Sequence, residues 1–441
     1  MGGLPAKTIG LCGFVVCLWF GAFSEQPQRF SKADRDMVAR MLQDAAADVQ
    51  KYYYDPKLHG LDWDARVHQA KENIEKADST DSAVSEIAAL LDSLNDSHTR
   101  LILPPRSYTH EYGFKMMMVG DHCYVTWVHS GRDAENKGLK PGDEILAVND
   151  HPVSRTNFWR IQYIYKELRP QPGLRLTLAG NGDARRQLDV MAKIEPSSVL
   201  KVRGHQGINE VASEVTNWRD SLQPRYFGKG DDLLVVKMPQ FLLSAYGVDD
   251  LLGKMRKHKG VVLDLRGNPG GAVATLDRFL GGMFEYDRKI CDRVTRTSTT
   301  AQSVTGRHHD AYTGKLVVLV DSESASASEV FARVVQLEKR AFVVGDRTAG
   351  MVMESRHFQH ESTTDWLQNF AVAVTEADII MTDGKSLEHV GVQPDIVVLP
   401  TAQDLASRRD PALAKAAALV GGQLSPEEAG AAFPVDNSEK D

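Results

Sequence analysis

Two nearly continuous apolar runs, "VVLDL" at 261–265, broken only by Asp264, and "LVVLV" at 316–320, constrain this 441-residue chain more than anything else in it. Each leads into a loop of small residues and then into an amphipathic helical pattern. A strand with one wet face alternates apolar and polar residues. A strand that is apolar throughout must be covered on both faces, which is the habit of parallel sheets with helical crossovers. "DDLLVVKMPQF" precedes them and "RAFVVGDRTAG" follows, each with a further strand. After the first loop, Val273, Leu276, Phe279 and Leu280 fall on one helix face. Residues 198–402 are therefore expected to form an α/β core. The tail 403–441, rich in Ala, Glu and Gly, is expected to be a helix with a disordered end.

The rest of the chain divides by pattern. Over 25–105 the periodicity is helical. In "TDSAVSEIAALLDSL", Val84, Ile87, Ala88, Leu91 and Leu94 follow the i, i+3, i+4, i+7 rule, and Ser79, Thr80 or Asp81 can cap the helix. Pro104 and Pro105 end that region. Over 106–197 short strands and turns take over, including "GFKMMMVGDHCYVTWV" around a Gly-Asp turn and "GLKPGDEILAVNDHPV" with Pro-Gly-Asp and Asn-Asp turns. "AENKGLKPGDEILAVNDHPV" resembles a PDZ domain, and "YGF" (Tyr112, Gly113, Phe114) lies where that family keeps its carboxylate-binding loop. The resemblance implies capture of C-terminal peptide tails by strand addition. A small β-domain without a ligand is the plain alternative.

At 42% hydrophobic and 25% charged, with a formal charge of −7, the composition is that of a soluble protein with no reason to bind nucleic acid. The N-terminus differs: Lys7, an apolar stretch from Thr8 to Phe23, then Ala22-Phe23-Ser24. That pattern is a signal peptide over 1–24, cut after Ser24, too short for a stable membrane span, and it implies a secreted or periplasmic protein. An anchor helix is the competing reading. Cleavage would remove Cys12 and Cys17, and Cys123 with Cys291 then read as buried thiols rather than a bridge. No Cys or His spacing suits a metal site.

In an open α/β sheet, ligands gather at the carboxyl ends of the strands. "RGNPGG" (266–271) and "SESASAS" (322–328) share that address. Glycines permit close backbone approach, and a helix N-terminus offers free N–H groups, so the two loops could build an oxyanion hole beside a serine. A phosphate loop would need Lys-Ser or Lys-Thr after the glycines, where Ala272-Val273 stand instead.

Taken in order, "VVLDLRGNPGG", "VLVDSESASASEVFA", "VVGDRTAG" and "LEHVGVQPDIVV" resemble the C-terminal-processing (tail-specific) serine protease family and its tricorn-like branch. The resemblance implies a multidomain α/β protein: a small helical domain, an inserted PDZ-like domain, and a crotonase-like, ClpP-like catalytic core. It makes Ser326 the nucleophile and puts the oxyanion donors on Gly271 and Ala327, while Ser324 and Ser328 are left to capping and packing. It also implies polypeptide substrates, met through their C-terminal tails, and chemistry without metal or cofactor. The chain departs from the family's Ser-Lys pattern at "GDRTAGMVMES", where Met351 holds the Lys position and Ser355 the next polar one. A thioether is no general base, so either the chemistry is lost, leaving a peptide- or apolar-ligand-binding protein, or another base acts. "DSHT" supplies one: in the tricorn-like branch a Ser-His pair serves, here Ser97 and His98, with Glu388 of "SLEHVGVQPD" orienting the ring. Histidine suits that work near neutral pH. Asp264 is expected to be a buried structural partner of Arg266, and His357 and His360 to face solvent or line substrate.

Overall fold

A computed structural model describes residues 30–180, 184–197, 220–230, 232–361 and 369–433. The signal-peptide segment and the last residues of the tail lie outside them. Three helices open the described chain: α1 (Lys32–Tyr52), α2 (Trp63–Lys76) and α3 (Thr80–Asp92). The α3 stripe is buried as its periodicity demands, and the Ser79 hydroxyl caps it by accepting the Ser82 N–H at 3.2 Å.

Short strands follow: β1 (Arg100–Ile102), β2 (Tyr108–Glu111), the hairpin β3 (Phe114–Val119) and β4 (His122–Val128), β5 (Ile145–Val148) and β6 (His151–Pro152). Helix α4 (Phe158–Tyr163) and strands β7 (Gly173–Ala179), β8 (Arg185–Met191) and β9 (Lys193–Pro196) complete this part. The Asn-Asp turn after β5 has positive φ at both residues, 47° and 65°, as a tight hairpin needs.

The core holds two sheets. In the first, β10 (Arg225–Lys229) runs antiparallel to β11 (Leu233–Lys237), and β11, β12 (Gly260–Asp264), β15 (Lys315–Val320), β16 (Phe342–Gly345) and β19 (Ile396–Val397) run parallel. Helices α5 (Ala245–Met255), α6 (Val273–Gly281) and α7 (Ala327–Leu337) cover one face. There Phe331 stacks on Phe279 at 5.1 Å and lies 6.0 Å from Phe241, all three fully buried. Truncating a buried Phe of this kind costs roughly 3–5 kcal/mol. Val273 is the exception to the α6 stripe. It is 44% exposed, because it starts the helix at the rim where the glycine loop ends rather than under the sheet.

The second sheet is antiparallel, with β17 (Met353–Glu361), β18 (Asn369–Met381), β13 (Arg288–Thr295), β14 (Thr299–Val304) and the early strand β1. β1 lies against β18 with Leu101 opposite Val372, so α1–α3 share one core with Phe370, Val372 and Val374. The tail forms more than one helix: α8 (Ala402–Ala406), α9 (Pro411–Leu419) and α10 (Pro426–Ala431). Ala412, Leu413, Ala416 and Ala417 seat α9 flush on the other face of the parallel sheet.

Candidate active site

Ser326 stands between the end of β15 and the start of α7, with φ 55° and ψ −119°. Such a conformation costs a residue with a side chain about 1–3 kcal/mol and persists only where its surroundings enforce it. Here the Ser326 N–H is held twice, by the Met351 carbonyl at 2.9 Å and by Glu329 Oε2 at 3.1 Å. Its flanks are stitched to the glycine loop. The Ala325 N–H and the Ser328 hydroxyl both donate to the Asn268 carbonyl at 3.0 Å, and the Ser324 hydroxyl donates to the Leu265 carbonyl at 2.8 Å. Ser324 and Ser328 are thus buried ties between two loops.

The glycine loop is equally fixed. Gly270 donates to Asn268 Oδ1 at 2.8 Å, Phe241 donates to the Gly270 carbonyl at 2.7 Å, and Ala272 donates to the Phe241 carbonyl at 2.7 Å. Among the described residues, no protein acceptor takes the Gly271 N–H or the Ala327 N–H. Gly271 has φ 147°, and a Cβ there would sit 2.3 Å from the Phe241 carbonyl oxygen. A Cβ on Gly270 would lie 2.9 Å from the Ala327 nitrogen and 2.7 Å from Ser326 Cβ, so this backbone abuts the serine directly.

His98 is delivered by β1. Just before that strand, Asp96 Oδ1 accepts the His98 N–H at 2.8 Å, the Thr99 N–H at 2.7 Å and the Thr375 hydroxyl of β18 at 2.7 Å. Ser97 Oγ lies 2.8 Å from His98 Nδ1 and donates to Glu388 Oε2 at 2.9 Å, while the Ser97 N–H donates to Oε1 at 2.7 Å. The Val352 N–H completes the carboxylate at 2.8 Å. Its own peptide bond carries the Met351 carbonyl that holds Ser326. One peptide unit therefore ties the serine amide to the Glu388 carboxylate across roughly 8 Å at most. No hydrogen bond joins His98 Nε2 to Ser326 Oγ; catalytic contacts commonly close only when substrate is bound. Burial pushes the His98 imidazole down to about 4, against the opposing pull of Asp96. Burial likewise raises Glu388, against its three N–H and O–H donors and the nearby His389.

In the PDZ-like part, Tyr112 and Phe114 line a cavity of about 190 Å³ with Ile161, Gln162 and Glu323. The Tyr112 hydroxyl is turned inward, donating to the Gln171 carbonyl at 2.9 Å. Gly113 has φ 71°, and its carbonyl accepts the His129 N–H at 2.9 Å.

Residues 232–398 match the family model for peptidase family S41, and residues 101–170 match that for the PDZ domain. Over 376 residues the chain is 25% identical to the chloroplastic carboxyl-terminal-processing peptidase 3 of Arabidopsis thaliana, covering 81% of this chain and 68% of that one. It is 24% identical over 364 residues to the carboxyl-terminal-processing protease of Synechocystis sp., covering 79% and 78%. This chain is a serine-type peptidase. Its fold is similar to that of mature CPAF, at a TM-score of 0.63 and 13% identity over 85% of this chain and 94% of that one.

Several groups of this peptidase escaped the sequence reading. Asn268, 0% exposed, knots the glycine loop to the serine loop and to the Met238 carbonyl at 2.8 Å. Asp96 aims the backbone that carries His98. Glu329, also 0% exposed, accepts from Ser326, from Met351 N–H at 2.9 Å, from Gly350 N–H at 2.8 Å and from the Thr348 hydroxyl at 2.5 Å. Asp264 is the buried partner of Arg266, at 2.8 and 2.9 Å. His357 is exposed on β17, whereas His360 is only part-exposed, its Nε2 lying 2.7 Å from Asp48 Oδ2. Cys123 and Cys291 are unpaired and buried, and burial pushes both thiols up to about 12. Among the described residues, no helix is long and apolar enough to cross a membrane, and no cluster of His, Cys, Asp and Glu could hold a metal.

Proposed function

We propose that the chain is a secreted or periplasmic endopeptidase of the tricorn-like, Ser-His kind, acting on unfolded chains or exposed C-terminal tails. The observation that carries this reading is the relay from Glu388 through Ser97 to His98, wired by one peptide unit to a serine held at positive φ. An ionised Glu388 only accepts, so the Ser97 hydroxyl spends its single hydrogen there and must accept from His98 Nδ1–H. That tautomer leaves Nε2 as a lone pair, and burial keeps it unprotonated at neutral pH. Ser326 Oγ attacks the peptide carbonyl as its proton passes to Nε2. The Gly271 and Ala327 N–H groups receive the oxyanion, and Nε2–H protonates the leaving amine. Water, deprotonated by the same nitrogen, then releases the acyl group and regenerates the hydroxyl. The crotonase-like arrangement of the core, and a PDZ groove around Tyr112, Gly113 and Phe114 that presents tails, belong to the same reading.

Labelled casein hydrolysis tests it. Ser326→Ala and His98→Ala are each expected to lose at least about 10³-fold in kcat. Activity retained in His98→Ala would mean that another group takes the proton.

A further inference from the structure

Glu329 is out of place as a merely stabilising residue. Its carboxylate is completely buried, and no cation pairs with it among the described residues. Burying an unpaired carboxylate is costly, and a neutral side chain could fill the same space. What a neutral side chain lacks is its set of acceptors. Oε2 takes the Ser326 and Met351 N–H groups at 3.1 and 2.9 Å, and Oε1 takes the Gly350 N–H and the Thr348 hydroxyl at 2.8 and 2.5 Å. Only a carboxylate accepts at both oxygens; glutamine would turn an NH₂ toward N–H donors on one side.

Those four donors belong to two separate pieces of the site. One is the strained amide of the nucleophile. The other is the segment Thr348–Met351, which follows β16 and delivers the peptide bond bridging Ser326 to Glu388. Among the described residues, Glu329 is the one side chain hydrogen-bonded to both. A shift of this segment would change the reach from His98 to Ser326, and displacements near 1 Å cost on the order of 10²-fold in rate.

We infer that Glu329 is a positioning residue that fixes the nucleophile-to-base geometry by clamping Ser326 to the Thr348–Met351 segment. This inference rests on the Ser326–His98 reading above. Its test is casein hydrolysis together with the rate of labelling by a fluorophosphonate probe, with kcat counted per titrated active site. Glu329→Gln is expected to lose about 30–100-fold in both kcat and labelling rate while KM stays within about two-fold and the folded protein is retained. A residue that only stabilised the fold would lower the number of active sites and leave the rate of each one unchanged. Should Glu329→Gln fail to accumulate, Thr348→Val removes one of the four donors and is expected to lose about 3–10-fold in kcat at unchanged KM. A kcat per site equal to wild type in these variants overturns the inference alone. Labelling that survives in Ser326→Ala, or is missing in the wild type, overturns the underlying reading and the inference with it.

Discussion

The same carboxylate sets a stability experiment whose sign and size follow from the structure. Glu329 carries an ordinary value of 4.5 when free and is pushed up to about 7 by burial, against the four donors that favour its ionised form. Below 4.5 it is protonated in both folded and unfolded chains, and the folded state suffers no penalty. Between 4.5 and 7 the unfolded chain ionises first, so each pH unit removes about 1.4 kcal/mol from the folded state. Above 7 both forms are ionised and the loss is complete, at about 3 kcal/mol. Glu329→Gln does not titrate and lacks this slope. Lost hydrogen bonds give that variant a constant offset, which does not change with pH. For a core of this size, 1 kcal/mol corresponds to roughly 2–4 °C, so the Tm difference between variant and wild type should move by about 6–12 °C in the variant's favour from pH 4.5 to 8. Differential scanning calorimetry of the core transition at four pH values measures it. A gap that stays constant, or that moves against the variant as pH rises, would refute the reasoning about where this carboxylate titrates.

Two further outcomes are expected. Gly271→Ala forces a Cβ to within 2.3 Å of the Phe241 carbonyl oxygen at a φ of 147°. Displacing that N–H should cut kcat on casein by about 10²–10³-fold, with circular dichroism unchanged. Ser97→Ala leaves His98 Nδ1 without its partner at 2.8 Å and should lower kcat by about 10–100-fold, an amount that steady-state kinetics resolves easily.

The legible parts of this molecule were the local ones. The parallel strands, the α3 stripe, the Asn149–Asp150 turn and the small-residue loops each follow from a few neighbouring residues. The antiparallel sheet was hidden because β1 finds its partner in β18, with Arg100 opposite Ala373. No window of sequence contains both strands, yet this pairing brings the backbone of His98 close to Glu388. Glu329 was hidden differently. A serine followed three residues later by glutamate reads as a helix-capping pair, and that pattern gives no hint that the carboxylate also receives a loop some twenty residues downstream. Val273 obeyed the periodicity of α6 and still faced solvent, since helical spacing says which side a residue is on but not where the covering layer ends.

The bridge between the serine and Glu388 runs through main-chain atoms alone, the carbonyl of residue 351 and the N–H of residue 352. Inheritance therefore treats the two positions unequally. Position 351 can drift among side chains without breaking the bridge, which leaves room for a methionine where relatives of the Ser-Lys type would keep an amine. Position 352 is held on two counts: its valine side chain is buried in the core, and it is closed to proline, the one amino acid with no N–H to offer.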